Sequence, residues 1–585
     1  MLINPNFELV ADESAVFVLS VWHELFYGFT PDSCQPRLHN VPSLIDELAA
    51  VAARWATEPL FKNQVLKIKA ELKAVMLSEK DLLDSLPSYR SHCEVLVNAK
   101  TAQTIVCGAR LLTERKEEYL ACLQQSARDA ISGLPKTKKL ASLSLRRLAT
   151  FAFQNGQEDD DVWRPFIDCE HQSASSLFDK IVQVTNRPKQ VYSVLLTVIG
   201  EYAGMNSLSR FCKYEVLSRK KLEREYLDAI GPHASNILYV RQTIEETSIR
   251  RAVDAARKRL GSAVGLVSLY KNPDNGIKIH PAAFVDVDNQ SVTLIQTEQA
   301  FRRLHPRKNA AERAKEAAKT IAASRNTDER LLAAIEQLAY ASSSGDSRTR
   351  FVNLWAAVET LAGAHEGETT LERVCELIVP LVVSRHTHRT TRYLTILTEN
   401  IKREMKIGSL GPGFSRPQQC VEQEEMLIAL ASPENDPKIA DLLAAIEHPH
   451  LRWKLHHAWS VFHSRRLLKT RLTDSKERLE WHLARIYRAR NMLVHEGIET
   501  PFIVPLLDNL QNYLSTLTQR LIHELQEHPD WTIRQVLEYW NGRMNHILTG
   551  LSTENVQQLV TSDFLEGIKA PKQIWFASPD SDISD

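Results

Sequence analysis

The stretch from Asp474 to Gly497 constrains the chain most, because it spells a long amphipathic helix that ends in a constellation of polar side chains. Leu479, Leu483, Ile486, Leu493 and Val494 recur at helical spacing. Asp474, with Glu477 three residues later, reads as a helix start, and Gly497 as its C-terminal cap. Arg490, Asn491 and His495 fall in the last two turns. Arg490 lies four residues from both Ile486 and Val494, on or beside the apolar stripe. A charge placed there needs a partner, a ligand or a subunit interface. Asn491 and His495 are four apart and share a face.

Arginine, an amide and an imidazole, without metal ligands, form a kit for cutting RNA. Imidazole moves a proton near neutral pH, and guanidinium holds a phosphate with two parallel hydrogen bonds. The bare spacing is weak. With 20 His in the chain, roughly one Arg-x4-His arises by chance, and Arg452 to His457 is a second copy. The helical context sets the first apart. The bland alternative is an arginine that snorkels and a histidine that caps.

The run Arg485-Ile-Tyr-Arg-Ala-Arg-Asn-Met-Leu-Val-His-Glu-Gly497 resembles the signature of HEPN domains, in particular the Apea-like HEPN group of bacterial anti-phage defence. Arg350-Phe-Val-Asn-Leu-Trp-Ala-Ala-Val-Glu-Thr-Leu-Ala362 is similar to that group's earlier core helix. Pro505-Leu-Leu-Asp-Asn-Leu-Gln-Asn-Tyr513 resembles the helix after the motif. The likeness covers roughly 325–545 and does not extend to residues 1–230. It implies a helical bundle and a metal-independent endoribonuclease whose cleft is completed by a second protomer. The family's arginine maps to Arg490, its polar companion to Asn491 and its histidine to His495. Arg488 offers an alternative Arg-x6-His spacing, so the catalytic arginine is Arg490 or Arg488. Glu359 matches a polar position on the earlier helix and would orient the catalytic group.

This resemblance implies attack by the RNA 2′-hydroxyl, with a 2′,3′-cyclic phosphate and a 5′-hydroxyl as products. It also implies an RNA substrate, a homodimer through the bundle, a role as an abortive-infection effector, and no cofactor or metal. A non-catalytic RNA-binding or scaffolding HEPN protein, partnered with another defence component, is the alternative.

Bulk properties bound these readings. A chain of 585 residues predicts several domains. Its 43% hydrophobic and 25% charged residues are those of an ordinary globular protein. The net charge of +0 makes the whole molecule no general nucleic-acid magnet. Basicity is local: from 452 to 490 eleven cations, among them Arg466, Lys476, Arg478 and Arg485, accompany only Asp474, Glu477 and Glu480. Those four cations are the candidate RNA-binding residues. Trp453, Trp459 and Trp481 either stack on bases or belong to the core. Eight cysteines without a Cys-x-x-Cys argue against a zinc ribbon, and free thiols suit a cytoplasmic protein. No signal peptide or membrane-length apolar run is evident.

The expected fold is mainly α and multi-domain. Residues 1–235 read as helical, in one or two bundles, with helix-period residues over Val41 to Trp55, Asn63 to Met76 and Ser176 to Tyr202. A sensing or restraining role suits this region. Residues 236–305 read as a small β insert, with strands at Ala263 to Tyr270, Ile277 to Val287 and Val292 to Ile295 and a turn at Asp274-Asn275-Gly276. A basic helix, 306–327, serves as a connector or an RNA-facing arm. The HEPN-like bundle spans 328–545, with its motif helix at 474–497 and a Gly/Pro-rich loop at 404–437. Residues 546–585 form an extension with an acidic tail.

Overall fold

Helix-forming sequence dominates the chain, and the computed structural model is mainly α with one small antiparallel sheet. It describes residues 12–26, 40–157, 159–166, 172–199, 213–217, 237–268, 278–287, 291–296, 317–321, 329–344, 346–363, 369–383, 426–446, 448–500 and 503–553, besides a few single positions. The turn at 274–276, most of the connector and the acidic tail lie outside the described residues. Among the described residues no helix is long and apolar enough to cross a membrane.

The chain forms two compact units. One takes Met1–Phe151, Trp163–Val182 and Pro306–Asp585, and the other takes Ala152–Val162 and Gln183–His305. The larger unit opens with α1 (Glu13–Phe26), α2 (Val41–Trp55) and α3 (Lys62–Ser78). Asn40 caps α2: its side-chain oxygen accepts the Ser43 N–H at 3.0 Å, and Pro42 sits in the first turn, where no amide hydrogen is missed. Leu44, Ile45, Leu48 and Val51 form its apolar stripe.

In the smaller unit, β1 (Gln190–Ile199), β2 (Glu215–Leu217) and β3 (Ile237–Glu246) precede α4 (Ile249–Ser268), followed by β4 (Lys278–Val287) and β5 (Ser291–Gln296). The strand order is β2-β3-β1-β4-β5, with Gln190 opposite Glu246 and Tyr192 opposite Val287. Tyr192, Val194, Leu196 and Val198 pack with Ala252, Val253, Ala256 and Leu260 of α4. Leu195, Tyr239 and Phe284 cluster on the other face.

Two local expectations are corrected here. The helical reading of Ser176 to Tyr202 holds only to Thr185, and Gln190–Ile199 is the central strand β1. That strand is buried on both faces, so its continuous apolar run does not reveal its period. Conversely, Ala263 to Ser268, read as strand, closes the helix α4. Ala252, Val253, Ala256, Leu260 and Ala263 lie at helical spacing and cover the sheet, which decides the conformation.

The C-terminal part of the larger unit contains α5 (Glu329–Ser343), α6 (Ser347–Ala362), α7 (Pro449–Phe462), α8 (Arg465–Glu496), α9 (Ile503–Glu527) and α10 (Ile533–Thr553). Helix α6 packs against α5, α8 and α9, and its Phe351, Leu354, Trp355, Val358 and Leu361 are buried in the core. Helix α8 also meets α7, α10 and α3. The loop expected over 404–437 is helical at its described end: residues 426–431 form a turn of helix with Met426, Leu427 and Leu430 buried.

Candidate functional site

Helix α8 is 32 residues long and carries nearly every candidate residue. Its start is not Asp474. Ser464 is the cap, accepting the Leu467 N–H at 3.4 Å, and no proline or glycine interrupts 465–474. The Asp474 and Glu477 pair is therefore an acidic spacing inside a helix that had already begun. Gly497 ends it in the left-handed region at φ 67°. The Gly497 N–H meets the Leu493 carbonyl at 3.1 Å, and the Ile498 N–H meets Met492 at 3.2 Å.

The last three turns have two differently occupied sides. At 3.6 residues per turn, Arg485 and Glu496 lie about 20° apart around the axis, while Arg490 and Asn491 lie on the opposite side. The Arg490 Nη1 donates to Asn491 Oδ1 at 3.0 Å. Its Nη2 lies 3.5 Å from Glu359 Oε2 of α6, with both side chains about one quarter exposed (24% and 26%). The Arg490 Nε is buried and has no hydrogen-bond partner among the described residues. His495 is exposed one turn beyond Asn491, between exposed Val494 and near exposed Ile498. Arg490 thus meets both Asn491 and Glu359 directly, while His495 shares a face with Asn491 one turn on and lies about 140° around the axis from Arg490.

The opposite side is closed by the N-terminal helices. Arg485 donates from Nε to Glu47 Oε2 at 2.9 Å and from Nη2 to both Glu71 oxygens at 2.8 Å. Arg488 donates from Nε to Glu47 Oε1 at 3.1 Å, and its Nη2 bonds the same oxygen. Both arginines are buried. Glu496 pairs with Arg54 at the end of α2. Burial works against the Glu47 charge, but the Arg485 and Arg488 guanidiniums outweigh it and hold the carboxyl at about 2. Burial also disfavours the Arg485 cation, yet Glu47 and Glu71 raise it above its ordinary range.

A second buried carboxylate behaves oppositely. Glu79, just after α3, accepts the Tyr119 hydroxyl at 2.6 Å and has the Arg147 Nε 3.3 Å from its other oxygen. Burial outweighs the single guanidinium and pushes the Glu79 carboxyl up to about 7.

Of the expected RNA-facing cations, Arg466 and Arg478 are exposed and Lys476 is half-buried. Arg485 is not available: it sits inside the ion-pair cluster because two glutamates project into its path. Arg488, the alternative catalytic arginine, is likewise buried and held by Glu47. Trp453 packs edge-on against Phe17 of α1, and the Trp459 Nε1 donates to Asp436 at 3.0 Å, so both serve the packing of α7. Trp481 is half-buried.

Sequence reading passed over Glu47, Glu71 and Arg54. A signal was present, since Glu47 falls within the stripe Leu44, Leu48, Val51 and Glu71 within Ile68, Leu72. A carboxylate on an apolar stripe requires a buried partner. Among the described residues no group of three or more His, Cys, Asp or Glu is placed to hold a metal ion. No protein-family model matches the chain, and no curated protein or solved structure matches it either.

Proposed function

We propose that this chain is a HEPN-type endoribonuclease that cuts RNA by 2′-hydroxyl attack without a metal ion. The observation that supports this reading is the partly exposed Arg490–Asn491–Glu359 cluster, with exposed His495 one turn beyond Asn491. His495 takes the proton from the 2′-hydroxyl, whose oxygen attacks the adjacent phosphorus. The 5′-oxygen leaves and receives a proton, giving a 2′,3′-cyclic phosphate and a 5′-hydroxyl. Arg490 carries the charge that develops on the phosphorane oxygens, and Asn491 holds the guanidinium. With one His495 per protomer, a homodimer supplies both acid and base, and exposed Val494 and Ile498 beside His495 suit such a contact. Cytoplasmic RNA is the substrate, and killing of an infected cell is the biological role that fits an RNA-cutting effector.

Cleavage of total cellular RNA by purified protein in excess chelator tests this, beside His495→Ala and Arg490→Ala. Cuts that vanish in both variants are expected. Cuts equal in all three place the activity elsewhere or in a contaminant. One observation favours a second reading, an RNA-binding or scaffolding protein partnered with another defence component: Glu359 already lies against Arg490, where a phosphate would bind. That reading expects RNA binding without cuts.

A further inference from the structure

We propose that α2 is a positioning brace for the cleavage face of α8, with Glu47 and Arg54 setting that face's rotation toward RNA. The proposal rests on the ribonuclease reading above. Glu47 and Arg54 are seven residues apart, two turns, and therefore share one face of α2. Arg485 and Glu496 are eleven apart, three turns, and share one face of α8. The charges are complementary in parallel order. Glu47 grips Arg485 and Arg488 before the cleavage residues, and Arg54 grips Glu496 immediately after His495.

Ion pairs at both ends of this segment resist something that packing alone resists poorly. Apolar side chains are non-directional and tolerate a small roll of a helix about its own axis. Guanidinium–carboxylate pairs are directional, and Arg485 and Arg488 bind Glu47 from two azimuths of α8. A roll of α8 would swing Arg490 and His495 together and break these bonds. Glu71 of α3 adds a second anchor on Arg485, so the brace has its own support. Whatever displaces α2 therefore acts on the cleavage face without touching it. Glu47, Glu71 and Arg54 are positioning residues rather than catalytic ones.

The Arg54–Glu496 pair gives the cleaner test, because its side chains are partly exposed (17% and 36%) and their replacement spares the core. Arg54→Glu, Glu496→Arg and the double exchange are compared with wild type and His495→Ala on total cellular RNA, at limiting and saturating RNA. Backbone amide exchange over 489–496 is measured in parallel and does not depend on activity. Each single variant is expected to lower the saturating rate about tenfold at unchanged half-saturation, and to speed exchange at 489–496 by a comparable factor. The double exchange is expected to restore both. Folded single variants with unchanged rate and exchange overturn the brace, as does a double variant no better than either single. If wild type cuts no more than His495→Ala, the ribonuclease reading fails, and the exchange rates alone decide whether α2 holds the segment. Glu47→Gln serves as a second probe. It keeps the shape, and it is expected to speed exchange at 485–490 first.

Discussion

The two sides of the last turns of α8 put one residue type to opposite uses. On the α2 side, Arg485 is buried and held by Glu47 and Glu71, and Arg488 is buried and held by Glu47. Two residues further on, Arg490 faces away, is about one quarter exposed, and among the described residues meets an amide at 3.0 Å and one carboxylate at 3.5 Å. All three arginines lie within six residues of one another in a single helix. What separates a structural arginine from an available one is the element lying opposite, not its neighbours in sequence.

The largest expected effect is at the proposed proton-transfer residue. His495→Ala is expected to lower RNA cleavage by roughly 10²–10⁴-fold, the range for removing a general acid or base, with an unchanged unfolding curve because the side chain is exposed. A folded His495→Ala that cuts like wild type removes the functional contrast between the two sides. On the closed side, Glu47→Ala leaves two buried guanidiniums without their shared acceptor. A loss of roughly 3–5 kcal/mol in urea unfolding is expected. A loss below 1 kcal/mol would mean that Glu71 alone satisfies Arg485 and that the cluster is redundant.

Acid titration sharpens the contrast further. The Glu47 carboxyl is held at about 2, below its unfolded value. Its stabilisation is complete above the ordinary carboxylate range and is lost as pH falls toward 2. Glu79, raised to about 7 by burial, has the opposite sign: its stabilisation is complete at acid pH and is lost as pH rises through 7. Unfolding measured across pH 3–8 in Glu47→Gln and Glu79→Gln should flatten the acid limb in the first and the neutral limb in the second.

Smaller effects follow. Gly497→Ala meets no neighbouring atom but must hold a left-handed φ of 67°, at a cost of about 1–2 kcal/mol, visible as a lowered melting temperature. Arg466→Ala and Arg478→Ala, both exposed, should change stability by less than about 0.5 kcal/mol. If they touch phosphate, each lowers the salt slope of RNA binding by about one.

The mainly α fold, the helices at Val41–Trp55 and Ser347–Ala362, and the strands β4 and β5 were legible because each carries its own period and caps. The central strand β1 was not, because burial on both faces erases alternation. The start of α8 was misplaced because an acid followed by an acid three residues on also occurs inside helices. At the site, the adjacency of Arg490 and Asn491 and the shared face of Asn491 and His495 follow from one helix and were readable. The engagement of Arg485 and Arg488 was not, since their partners lie more than four hundred residues away and no local pattern links them.

That separation has a consequence for synthesis. Glu47 and Arg485 are 438 residues apart, and at ribosomal rates of roughly 5–20 residues per second the second emerges about 20–90 s after the first. Throughout that interval Glu47 and Glu71 lie on otherwise apolar stripes without the arginine that engages them both in the folded chain. The helix bearing Arg490 and His495 is therefore made after both glutamates that anchor it.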